Sequence, residues 1–335
     1  MPESVVTRAC QFPIERRLST VRLSEAGRHS LFKEFVALNS PDDDLEKYLS
    51  QALLLTGRYS LQVVRRIRDF SCDPHHPGIL LVQGLPSDPF LPDTPADGSR
   101  SPDKRTFVSE AVLLTLSLLL GEPFAYLAEK NGEIVHNIVP VKGSERKRSN
   151  EGSEVDFQYH TELAYFPFRP DYLLLYCLRS DPCREAGTLA ADIRTACGYL
   201  SAADIVELRR PAFCIRAPQS FVGAIGELWS EPRPILTGPD DLPEACANLN
   251  GMQAITTSAQ TALETFRATL QRSEVTQRVC LQPGECLLID NRKALHGRGA
   301  FTPRYNGEDR WLQRVYVTTS LWSGRASYKG RERLF

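Results

Sequence analysis

The feature that most constrains the fold is a change of periodicity near residue 122. Before it, apolar residues recur at helical spacing. After it, they come in short runs cut by Pro and Gly. Between 42 and 71, Leu45, Tyr48, Leu49, Leu53, Leu54, Leu61, Val64 and Ile67 recur every third or fourth position and read as helix. Residues 107–120 are apolar almost throughout and stop at Gly121, the pattern of a core helix. Residues 78–84 form a short buried strand bounded by glycines, and 86–103 a Pro/Asp-rich surface loop.

From 122 onward, strands are expected at 133–141, 172–179, 189–193, 213–216, 278–281, 286–290 and 311–320, with a helix over 257–270. Helices first and many short strands after predict a mixed α/β chain dominated by β. A helical flank, 1–121, would pack on a sandwich or barrel, 122–325. A chain of 335 residues is read as one domain, 1–335, rather than two small ones. Two segments, near 142–157 and 219–252, have the charge and the Pro/Gly content of lids over a site.

Bulk properties exclude several functions. The net charge is -1, which gives no electrostatic reason to expect nucleic acid or an anionic membrane as partner. No apolar run reaches the roughly 18 residues of a membrane span. The start, Met1 to Val6, lacks a basic region followed by an apolar core, so no secretory leader is expected. Nine scattered cysteines, an odd number without a CxxC pair, predict buried reduced thiols (Cys177, Cys214 and Cys286 among them) and a cytoplasmic protein. Nothing in the sequence fixes an oligomeric state.

The chemistry resides in two segments more than a hundred residues apart. His160 and Glu162 stand two apart, so on a strand their side chains leave the same face. His296 completes a set of two imidazoles and one carboxylate, the ligand choice of non-haem Fe(II) oxygenases. Alone, His160-x-Glu162 reads as a polar strand edge and His296 as a turn cap. His29, His75, His76 and His136 lack a nearby carboxylate at ligand spacing or lie in a loop, and read as bystanders. Arg310 and Arg314, four apart on a predicted strand, share a face and would suit two carboxylates. Their bland reading is a solvated basic face. Thr188 offers a hydroxyl to the same carboxylate, or is an ordinary strand threonine. No GxSxG elbow, Walker loop, HExxH or GxGxxG is present.

Over residues 120–325 the chain resembles the clavaminate synthase-like branch of the Fe(II)/2-oxoglutarate oxygenases, and within it the free amino acid hydroxylases of arginine and asparagine in peptide antibiotic pathways. Tyr159-His160-Thr161-Glu162 is similar to the proximal iron motif. Leu295-His296-Gly297-Arg298, with Pro303-Arg304-Tyr305-Asn306-Gly307, is similar to the distal one. The resemblance implies a double-stranded β-helix (jelly-roll) core with flanking helices, with Fe(II), 2-oxoglutarate and O2 as its reagents. It implies that Arg310 pairs with the distal carboxylate of 2-oxoglutarate with help from Thr188, and that Arg314 binds the substrate α-carboxylate. Asn248 and Asn250 stand where arginine hydroxylases carry two aspartates, and Glu129 stands near a glutamine that contacts the substrate amino group. The expected activity is hydroxylation of an L-amino acid with a polar side chain, at Cβ. Glu162 argues against halogenation, because the related halogenases carry a small residue there. Desaturation, oxidation of a carrier-tethered aminoacyl group, and a non-catalytic metal or zinc protein are the alternatives.

Overall fold

Period-two alternation in the strands sorts apolar side chains into separate cores. The computed structural model describes residues 18–222, 227–330 and 333–335. The Met1 to Val6 start and residues 223–226 of the second expected lid segment lie outside the described residues.

The first half supplies β1 (Ser19–Arg22), α1 (Glu25–Phe35), α2 (Leu45–Leu55), α3 (Leu61–Cys72), β2 (Ile79–Gln83) and α4 (Val108–Leu118). Next come β3 (Glu122–Phe124), β4 (His136–Ile138), β5 (Phe157–His160), β6 (Tyr172–Arg179), β7 (Thr188–Asp192), α5 (Ile193–Cys197), α6 (Ala202–Leu208), β8 (Phe213–Ile215) and α7 (Gln219–Val222). The chain continues with β9 (Leu236–Thr237), β10 (Glu244–Ala245), β11 (Met252–Ala254), α8 (Thr257–Leu270), β12 (Thr276–Val279), β13 (Cys286–Asp290), β14 (Ala294–Arg298) and β15 (Trp311–Thr318). The larger sheet runs β1-β2-β13-β6-β15-β3, with β4 also on β15, and the smaller runs β12-β7-β14-β5. This is a mixed α/β chain with substantial sheet, as the change of periodicity implies.

Three apolar layers result. Leu80, Val82, Tyr172, Leu174, Leu288 and Val315 on one face of the larger sheet pack against α1 to α4. Ile79, Leu81, Leu173, Leu175, Leu287 and Ile289 on its other face share a core with Ala190, Val279 and Ala294 of the smaller sheet. Ala191 and Leu295, on the far side of the smaller sheet, pack with Leu208 of α6 and Phe266 of α8.

Several elements differ from the sequence expectation. The helix expected over 42–71 is two helices, because Ser60 takes the N-cap position and its hydroxyl accepts from Val63 N, starting α3 afresh. Helix α1 and strands β3 and β14 were not anticipated, the strand expected around His160 and Glu162 is β5 and stops at His160, and the strand expected at 133–141 shortens to β4. Gly121 does not end α4 through a left-handed turn. Instead, a Cβ there would collide with the Thr318 carbonyl of β15, so it serves close packing. The eight described cysteines are free, and Cys177, Cys214 and Cys286 are buried as read. No helix among the described residues is long and apolar enough to cross a membrane.

Candidate active site

Strands β5 and β14 pair antiparallel with His160 directly opposite His296, and the imidazole centroids lie 4.2 Å apart. The pairing is tight at Gly297, where a Cβ would lie 2.6 Å from the Phe157 carbonyl. His296 is therefore a mid-strand residue, not a turn cap. Glu162 is not on the strand, which ends at His160, but in the following turn. Asn291, just past β13, holds that turn. Its Oδ1 accepts from Glu162 N at 2.7 Å, and its Nδ2 donates to the carbonyls of Glu162 and Pro170.

One donor atom each from His160, Glu162 and His296 lies within 4.8 Å of the others, and all three residues are buried. His160 Nδ1–H donates to the Gln158 carbonyl at 2.9 Å, which fixes the tautomer and leaves Nε2 as a lone-pair donor. Burial, with His296 beside it, pushes the His160 pKa down to about 3, so the ring is neutral. Burial alone would raise the Glu162 pKa, but Arg314 and the two histidines hold it well below the carboxylate range. Two imidazoles facing a buried carboxylate form the donor set of a divalent metal site with open positions.

Beside this cluster, a small cavity of about 30 Å³ is lined by Thr188, Arg310 and Arg314 together with the three donors. Arg310 lies just before β15, not on it, and Thr188 opens β7. Burial pushes the Arg310 pKa down to about 10. Among the described residues it has no ion-pair partner, although a buried guanidinium requires an anion. The place is fitted to a carboxylate of a small ligand that also reaches the metal.

Arg314 is central to the second, larger cavity of about 790 Å³. Its Nη1 lies 3.2 Å from Glu162 Oε2, its Nη2 lies 3.6 Å from Glu129 Oε2, and Nη2 donates to His136 Nδ1 at 3.0 Å. The Tyr316 hydroxyl lies between Glu129 Oε2 at 3.0 Å and Glu162 Oε1 at 3.1 Å. Asn248 and Asn250 line the same cavity. Asn250 spends its amide on backbone, donating to the Gln158 carbonyl and accepting from Gln158 N. The Asn248 Oδ1 accepts from Asn250 N. The cavity also takes Lys147 to Glu151 from the first expected lid segment, and Asn248, Asn250 and Gly251 from the end of the second.

The nine candidate residues thus gather around two adjoining cavities. Sequence reasoning missed Asn291, Tyr316 and His136. Tyr316 was within reach, since it stands two residues after Arg314 on one strand and so shares its face. His136 was read as a bystander, but it is buried and its neutral ring accepts from Arg314; burial pushes its pKa down to about 3.

The model of the "Taurine catabolism dioxygenase TauD, TfdA family" matches residues 102–212 and 239–316. The chain is 38% identical to an L-asparagine oxygenase of Streptomyces coelicolor, covering 87% of this chain and 85% of that protein. It is 36% identical to an L-lysine 3-hydroxylase of Catenulispora acidiphila, covering 81% and 75%. The crystal structure of asparagine oxygenase with Fe(II), 2S,3S-3-hydroxyasparagine and succinate superimposes with a TM-score of 0.85 at 32% identity, covering 94% of this chain and 98% of that one.

Proposed function

Because the chain belongs to the TauD, TfdA dioxygenase family, we propose that it hydroxylates a free L-amino acid with a polar side chain, at Cβ, using Fe(II), 2-oxoglutarate and O2. The carrying observation is the buried His160–Glu162–His296 cluster beside Arg310, which has no ion-pair partner among the described residues. The relatives that act on asparagine and lysine support the amino acid class. The two sheets and helical flank support a double-stranded β-helix core, and the shared apolar layers support one domain. Free thiols support a cytoplasmic setting, and the relatives support a role in specialised metabolism.

His160, Glu162 and His296 would hold the iron. What iron supplies, with 2-oxoglutarate and O2, is an oxidant strong enough for an unactivated C–H bond. One oxygen atom enters the substrate, and the other ends in succinate as 2-oxoglutarate loses CO2. Every remaining task is positional. Arg310, assisted by Thr188, anchors the distal carboxylate of 2-oxoglutarate. Arg314 takes the substrate α-carboxylate and Glu129 its ammonium, so the zwitterion sits beside the metal. Asn248 and Asn250 shape the side-chain end. His136 accepts from Arg314 and fixes its rotamer, and the Tyr316 hydroxyl donates to Glu162 and fixes that carboxylate. A carrier-tethered substrate would lack the free carboxylate that Arg314 is placed to bind.

The test is aerobic incubation with 2-oxoglutarate and each of the twenty amino acids, with and without Fe(II), read by succinate formation and by mass. Iron-dependent gain of one oxygen by an amino acid is expected. Succinate formation independent of iron would overturn the reading.

A further inference from the structure

Resting on the amino acid hydroxylase reading, the charges around the large cavity lead us to propose that the substrate side chain is anionic: a dicarboxylic L-amino acid such as aspartate or glutamate. The acidic groups of the cavity are already engaged. Glu129 and Glu162 face Arg314, and a bound zwitterion adds one charge of each sign and leaves that balance unchanged. Glu151 lies 3.9 Å from Lys130 Nζ and 3.7 Å from Lys147 Nζ. Arg216 on the rim is matched by Glu227 at 2.8 Å.

Lys130 and Lys147 share the one Glu151 carboxylate, and Arg148 has none among the described residues. It lines the cavity from the segment before β5, yet it forms no ion pair or hydrogen bond with any described residue. Its charge is felt at Arg267, whose pKa is lowered by burial first and by Arg148 second. Arg267 donates to the Leu249 carbonyl and to Gln158 Oε1. Arg148 therefore lies within electrostatic reach of Arg267, which holds the Leu249 carbonyl between Asn248 and Asn250, the end where a substrate side chain would extend.

The asparagines at that end offer a cation no charge, and their oxygens already accept hydrogen bonds. Asn250 has both amide ends committed to Gln158 backbone. Asn248 has its oxygen committed to Asn250, while its Nδ2 donor has no partner among the described residues. A lysine or arginine side chain would meet a surplus cation and, among the described residues, no unpaired carboxylate. A carboxylate would find a guanidinium and an amide donor.

The experiment compares aspartate, asparagine, glutamate, glutamine and lysine with the iron-loaded enzyme, by kcat/KM and by gain of one oxygen, in wild type, Arg148→Gln and Arg148→Lys. The wild type is expected to prefer an acid over its amide by about tenfold or more, the scale of one charged hydrogen bond. Arg148→Gln should raise KM for the acid on the order of tenfold, leave KM for 2-oxoglutarate unchanged, and be partly rescued by Arg148→Lys. Anaerobic calorimetry of acid binding to the Co(II)-loaded protein with 2-oxoglutarate should show the same loss. A preference for an amide or for lysine, or an acid-to-amide ratio unmoved by Arg148→Gln, overturns this proposal alone. Failure to oxidise any amino acid while 2-oxoglutarate is consumed overturns the hydroxylase reading and this proposal with it.

Discussion

His160, Glu162 and His296 contribute donor atoms to one point and little to the apolar layers. His160→Ala, Glu162→Ala and His296→Ala should each abolish succinate formation at saturating Fe(II) while preserving the circular dichroism spectrum. Near wild-type turnover in any of the three would remove that residue from the metal site. The two arginines separate by partner. Arg310→Ala should raise the 2-oxoglutarate requirement by about 30- to 1000-fold, the loss of a charged bond worth ~2–4 kcal/mol in a buried site. Arg314→Ala should instead weaken the amino acid and leave uncoupled 2-oxoglutarate decay. Equal effects of both on 2-oxoglutarate alone would refute the assignment. His136 carries a pH prediction. Its folded pKa, near 3, lies below the ordinary 6.5, so between these values the unfolded chain binds the extra proton. Stability is then full above about 6.5 and falls as pH drops toward 3. His136→Gln should flatten that part of the Tm-versus-pH curve measured on the metal-free protein. At this scale the residue types were legible, because ligand chemistry restricts them. Their surroundings were not, since Tyr316 and His136 act through contacts that only folding creates.

Elements decide how those residues meet. Strands β6 and β13 were read at their observed bounds because they are continuous apolar runs buried on both faces. Strand β14 was missed because it is short and carries His296 and Arg298 where an apolar residue would signal a strand. The expected common face for His160 and Glu162 was wrong in its mechanism. What aims Glu162 is a turn clamped by Asn291. Asn291→Ala removes the acceptor of a buried N–H and the donor to two carbonyls, a cost of about 1–3 kcal/mol. It should lower both Tm and Co(II) affinity, whereas Asn291→Asp, which keeps the acceptor, should retain more of each. Unchanged Co(II) affinity in Asn291→Ala would show that the turn does not position the carboxylate. Gly297→Ala should act on the same pairing, because the added methyl forces β14 away from the Phe157 carbonyl.

Across the whole molecule, the helical flank and the sheets are joined by buried charge as well as by apolar packing. Lys104 Nζ lies 2.6 Å from Glu110 Oε2 on α4 and 3.2 Å from Asp88 Oδ1, with all three side chains nearly inaccessible. The other oxygen of Glu110 accepts from Gln313 Nε2 at 2.8 Å, on the strand that also holds Arg314. Asn137 Oδ1 accepts from both Trp311 Nε1 and Gln313 Nε2, tying β4 into the network. The periodicity shift gave the order of the two halves, but no local pattern could reveal this link, whose partners come from four separated segments. Its energetic sign follows from burial: removing the ammonium strands two carboxylates in a low-dielectric interior, a cost of about 3–5 kcal/mol. Lys104→Ala should therefore lower Tm by many degrees. If the chain is one domain, as we propose, the loss falls on a single cooperative transition seen alike by tryptophan fluorescence and circular dichroism, and Co(II) should raise that same transition through its preference for the folded site. Two transitions, with Lys104→Ala moving one and Co(II) the other, would instead show the helical flank and the metal-bearing sheets to be independent folding units.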